Sequence, residues 1–140
     1  MDTQKEKSVI VVDGSLPVGT IANASAILGI TLGMKLPRIV GSDVTDMQGN
    51  IHPGIIKFPL PVLKADSQTL KKFRKRLFET DNSDLFAVGF SSLAQSCAAY
   101  DEYIEKMQQT AGDSIVYTAI AIFGSRKKVN SLTGSLPLLR

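Results

Sequence analysis

A chain of 140 residues, 44% hydrophobic and 21% charged, carries enough apolar material for one sizeable core and too little length for two, which excludes wholesale disorder. A net charge of +3 permits contact with nucleic acid without requiring it. One cysteine, Cys97, and one histidine, His52, exclude an internal disulfide and the familiar zinc spacings, so no metal and no cofactor is expected.

The organising unit is residues 9–33. Val9-Ile10-Val11-Val12 predicts a strand, Asp13-Gly14-Ser15 a polar turn, and the small and apolar residues after Leu16-Pro17-Val18-Gly19 a helix to Gly33. A unit this apolar is buried on both sides, at the centre of an α/β domain, with its turn where such folds hold ligands. Pro37 stops the helix, and the turn formers in residues 40–54 allow a short hairpin or a lid. Residues 55–63 are extended. Pro59 and Pro61 leave one side of that segment without donors, which assigns it to a sheet edge.

Asp66 or Ser67 caps a second helix, expected to run to about Thr80. Its apolar face is Leu70, Phe73, Leu77 and Phe78, and its other face carries Lys71, Lys72, Arg74, Lys75 and Arg76. Residues 85–90 predict a buried strand, and Ser91 or Ser92 caps a third helix with the stripe Leu93, Cys97, Tyr100, Ile104 and Met107. The β-branched and aromatic residues of 115–123 predict a central strand. Residues 125–132 predict a short helix, Gly134 an αL terminator, and residues 136–139 an apolar tail that its own sheet or a second subunit must cover. Four strands alternating with helices argue for one three-layer α/β/α domain over residues 1–140.

The apolar runs at residues 21–36 and 115–123 are interrupted by Asn23, Ser25 and Thr31 or are too short for a bilayer, so no membrane contact is expected. Residues 1–7 carry charges of both signs and lack the pattern of a signal peptide, which makes a cytoplasmic location the expectation.

The start, Val9-Ile10-Val11-Val12 with Leu16-Pro17-Val18-Gly19 and its helix, resembles that of type II peptidyl-tRNA hydrolases. So does the end, Gly124 followed by Val129, Leu132-Thr133-Gly134, Leu136 and Leu138. More of the chain is similar to a bacterial family of small proteins of unknown function with that fold. The closer resemblance is carried by Leu16-Pro17-Val18-Gly19, Ala94-Gln95-Ser96-Cys97, Tyr100-Asp101-Glu102-Tyr103 and the segment from Leu132 to Arg140. The hydrolase resemblance implies a four-stranded mixed sheet, with catalysis where the first helix begins and the third strand ends. It puts Thr20 where the hydrolases have a lysine, Asn23 or Ala24 near their glutamine, and Ile27 near their histidine. Their Asp-Ala-Gly-x-Thr-Gln segment falls on Phe90 to Gln95, where Gln95 alone matches.

The candidate ligand-binding residues are therefore Asp13, Ser15, Thr20, Asn23, Ser91, Ser92 and Gln95. A carboxylate at a strand end can orient water or an amine, Thr20 and Asn23 share a helix face, and free amides at the third helix start suit an anion. Local roles compete with each: Asp13 as an Asx-turn former and the serines as caps. Cys97 lies in the apolar stripe, where a free cysteine acts as a small core residue, and His52 is a turn residue. The expected protein is a homodimer that binds a small ligand or an RNA end in a pocket between the first turn and the third helix start. A basic helix face and Arg126-Lys127-Lys128 make tRNA a candidate partner. The alternative is a hydrolase of peptidyl-tRNA or a related acyl ester, with Thr20, Asn23 and Gln95 in that pocket.

Overall fold

The computed structural model describes residues 5–79 and 82–140. The most apolar runs become the two central strands, β1 (Glu6–Asp13) and β6 (Tyr117–Ser125), which pair antiparallel with Val9 opposite Ile122. Between them in sequence come α1 (Val18–Lys35), the two-residue strands β2 (Val44–Thr45) and β3 (Ile51–His52), and β4 (Val62–Ala65). There follow α2 (Ser67–Leu77), β5 (Phe86–Ser91), α3 (Ser92–Gln95) and α4 (Tyr100–Gln108). The helix α5 (Arg126–Thr133) follows β6.

The main sheet has the order β4-β1-β6-β5 and is mixed, with β4 parallel to β1 and β5 antiparallel to β6. Alternation along β1 sends Ile10 and Val12 to one face and Val9 and Val11 to the other. On the first face Ile21, Ala24, Leu28 and Leu32 of α1 cover the sheet. The second face is covered by Leu70, Phe73 and Leu77 of α2 and by Val129 and Leu132 of α5. Asp66 caps α2 as expected, its Oδ1 accepting from the Thr69 amide at 2.7 Å.

Residues 40–54 contain a hairpin, β2 against β3, whose turn places Gly49 at φ 87° in the left-handed region. Asp46 organises that turn, accepting from the amides of Gln48 and Asn50 at 2.9 Å and contacting His52 Nε2 at 2.9 Å. Of the proline segment only Val62 and Leu63 join a strand: β4 begins after Pro61 and lies at the sheet edge. Its outer side is taken by the chain's own tail. Pro137 O accepts from the Lys64 amide at 2.8 Å, and the Leu139 amide donates to Val62 O at 2.9 Å. Leu136 and Leu139 pack, half-buried, against the two cores, while Leu138 stays 48% exposed, so the sheet covers part of the tail.

Four local expectations are corrected. Phe78 does not join the apolar face: α2 ends at Leu77, and Phe78, as its C-cap, is 71% exposed. The expected end at Thr80 lies outside the described residues. The strand of residues 85–90 is half-buried along most of its length rather than buried, because β5 is an edge strand beside the central β6. Residues 92–108 do not form one helix. Ser96 Oγ and Cys97 Sγ donate to Leu93 O at 2.8 and 3.3 Å, side-chain bonds that compete with helix continuation, and Tyr100 is left exposed. Gly134 is right-handed, at φ −64°. Its lack of a side chain matters because a Cβ there would sit 2.6 Å from Asn130 O.

Candidate functional site

Because β1 and β5 are both antiparallel to β6, they run in the same direction and end at the same end of the sheet. Asp13 and Ser91 thus stand two strand spacings apart, roughly 10 Å, with the start of β6 between them. Asp13 is buried, and its Oδ1 accepts from the Ser15 amide at 3.0 Å and from Ser15 Oγ at 2.7 Å, an Asx turn leading to α1. Thr20 is half-buried and Asn23 exposed in the first turns of α1, whose N-cap, Pro17, supplies no side-chain bond. Ser91 is buried and caps α3, its Oγ accepting from the Ala94 amide at 3.5 Å. The amide of exposed Ser92 donates to Val116 O at 2.9 Å. Gln95 Oε1 accepts from the buried Thr118 hydroxyl at 3.1 Å, which ties the one residue matching the hydrolase segment to β6.

A groove of about 770 Å³ runs along the α2 side of β5, and of the seven candidates it includes Ser91. Its floor is apolar, from Ala87 and Val88 on β5 to Ile115 and Tyr117. Gly89 makes that floor possible: a Cβ there would lie 2.7 Å from the Tyr117 ring, so glycine lets the ring lie against the strand. One wall is α2 with Lys71, Lys72, Arg74 and Lys75, and the other is Tyr103 and Met107 of α4 with Asp113 beyond.

The electrostatics of this groove are one-sided. The salt bridges among the described residues join Arg38 to Glu6, His52 to Asp46, Lys106 to Glu102 and Lys128 to Asp84, and none engages the four cations of α2. Arg74 instead lies over Phe78, 4.0 Å from the ring centroid, so an exposed aromatic lines the groove beside its cations. Burial, with smaller effects from Tyr100, Tyr117 and Cys97, raises the pKa of Tyr103, which keeps its hydroxyl a neutral donor. The sequence signal for this wall is the basic face of α2. Its companion surface depends on β5 being an edge, which no local pattern encodes.

A second cavity, about 380 Å³, lies on the other side of β5, between α1 and the α3–α4 segment. Cys97 lines it with Leu28, Phe90 and Tyr100, half-buried rather than inside the core. Among the described residues no three His, Cys, Asp or Glu side chains cluster as a metal site would need.

The fold is shared with a solved structure, that of a protein of unknown function from Agrobacterium tumefaciens: TM-score 0.85, 19% identity, covering 96% of this chain and 97% of that one. No match is found among the curated proteins. The family model described as protein of unknown function (DUF2000) matches residues 6–140, and the chain belongs to that family.

Proposed function

We propose that the protein binds a phosphate-bearing ligand with a flat ring, a nucleotide or the end of an RNA chain, in the groove between α2 and α4. The observation that carries this reading is the Arg74–Phe78 stack beside Lys71, Lys72 and Lys75, above an apolar floor. Cations held in no salt bridge attract phosphate, and an exposed ring beside them gives a base its stacking surface. Ser91, Tyr103 and Asp113 supply hydrogen-bonding groups around it. The test is calorimetric titration with AMP and with a short oligouridylate. Binding should weaken as salt rises, be lost in Lys72→Glu/Lys75→Glu, and survive in Lys127→Glu, at an α5 residue that does not line the groove. Absence of binding to either probe, or equal binding by both variants, contradicts the reading.

A second reading is hydrolysis of peptidyl-tRNA or a related acyl ester at the sheet end, with Thr20, Asn23 and Gln95 around the Asp13 turn. The Gln95–Thr118 bond and the common direction of β1 and β5 favour it, as does the mixed four-stranded sheet, in keeping with a peptidyl-tRNA hydrolase II-like fold. Turnover of peptidyl-tRNA that Asn23→Ala and Gln95→Ala abolish would establish it. Absence of turnover removes it and leaves the groove reading intact.

A further inference from the structure

We infer that the outer face of α1 is a surface for a second copy of this chain, packed helix against helix about a two-fold axis at Ala26. The observation is a surface helix whose exposed side is uncharged. From Val18 to Met34 the helix has no charged residue, and only Ile21, Ala24, Leu28 and Leu32 are buried against the sheet. Val18, Ile30 and Met34 are 83%, 72% and 79% exposed. Opposite the buried side, Gly19, Asn23, Ala26, Ile30 and Gly33 follow one another at spacings of four, three, four and three, the seam of a helix that packs lengthwise on another.

The seam is complementary to itself. An antiparallel copy centred on Ala26 sets Ile30 against Ala22, Gly33 against Gly19 and, at the two ends, Val18 against Met34, so the middle of the seam meets small residues and its ends meet apolar ones. A Cβ built on Gly19 or Gly29 meets nothing within 4 Å, so the outward notches are open. An uncharged patch meets its own copy without like-charge repulsion, which a two-fold interface requires. The face ends at Gly33, where a Cβ would touch the exposed Val40 at 3.8 Å. Exposed side chains of this kind offer on the order of 100 Å² each. With the small residues between them, the α1 face supplies a large part of the ~800 Å² per partner of a stable interface. A helix lying on a membrane would instead carry cations along its polar side. Here that side is the protein core. The proposal is independent of the groove, on the opposite face of the sheet, and it competes with the hydrolase reading for Asn23.

Sedimentation velocity of the full chain should show a dimer at micromolar concentration, and Ile30→Glu should halve the mass without changing the far-ultraviolet circular dichroism. Since Ile30→Glu alters solubility as well as packing, a second variant carries the register. Ala26→Cys in a Cys97→Ser background should form a covalent dimer on mild oxidation, while Lys127→Cys in the same background should not. A wild-type monomer at all concentrations, a dimer that neither responds to Ile30→Glu nor cross-links through A26C, or a monomer that sediments with anionic lipid vesicles would overturn the proposal.

Discussion

Arg74 holds its guanidinium 4.0 Å from the centroid of the ring of Phe78, the C-cap of α2, and the pair stands at the wall of the groove. An exposed pair of this kind contributes about 0.5–1 kcal/mol, so Phe78→Ala should change the unfolding free energy by no more than that. Its effect on ligand binding should be larger. Base stacking on an aromatic is worth ~1–3 kcal/mol, which predicts a roughly fivefold or greater loss of AMP affinity by calorimetry. Unchanged affinity would remove the ring from the site.

Ser8 is fully buried in β1, and its hydroxyl has no hydrogen-bond partner among the described residues. An unpaired buried hydroxyl costs about 1–3 kcal/mol, so Ser8→Ala should be neutral or should raise stability by about 1 kcal/mol. Urea unfolding would register this as a higher midpoint at constant slope. A clear fall in midpoint would mean that the hydroxyl is bonded after all.

Ile21 belongs to the core on the α1 face and Ile122 to the core on the α2 and α5 face. Ile21→Val and Ile122→Val should each cost roughly 0.5–1.5 kcal/mol, and the sheet between them should make the two costs add within ~0.5 kcal/mol. A larger coupling in the double mutant would show that the two faces do not pack independently.

The hairpin predicts a pH dependence. Asp46 is held at a pKa of about 2, below its ordinary 3.8, chiefly by its bond to His52 and then by the Asn50 amide. A carboxyl with a depressed folded value stabilises the fold fully above its unfolded value and loses that contribution as pH falls through the folded one. The hairpin should therefore hold at pH 4 and above and loosen towards about 2. Carbon-detected NMR of the Asp46 carboxyl would give the midpoint. Titration near 4, or loosening on raising the pH from 4 to 6, would contradict the network.

Much of this architecture was legible from local pattern. Val9 to Val12 and the run through Ile120 and Ile122 are too apolar and too β-branched to lie anywhere but in the middle of a sheet, and they do. Asp66 and Ser91 cap the helices that follow them because each side-chain oxygen reaches an amide three residues on. Less local features were hidden. Whether residues 86–91 form a centre or an edge depends on whether a distant strand pairs on their far side, and the groove exists only because β5 is the edge. Phe78 has helical spacing with Leu70, yet the helix ends one residue before it. The stripe through Cys97 and Tyr100 was broken by two side-chain bonds to one carbonyl, that of Leu93. The strand-end polar residues were located at one end of the sheet by their order in the chain, but the basic wall was only half visible without its opposite side.

The central claim is that the α2 cations and Phe78 form one binding surface with the floor of β5. Amide NMR shifts during a titration with AMP test it most directly. The account predicts saturable shifts confined to α2, to Val88, Gly89 and Ser91, and to Tyr103 and Tyr117, all abolished in Lys72→Glu/Lys75→Glu. Shifts clustered at Asp13, Thr20 and Asn23, or no saturable shifts at all, would contradict it.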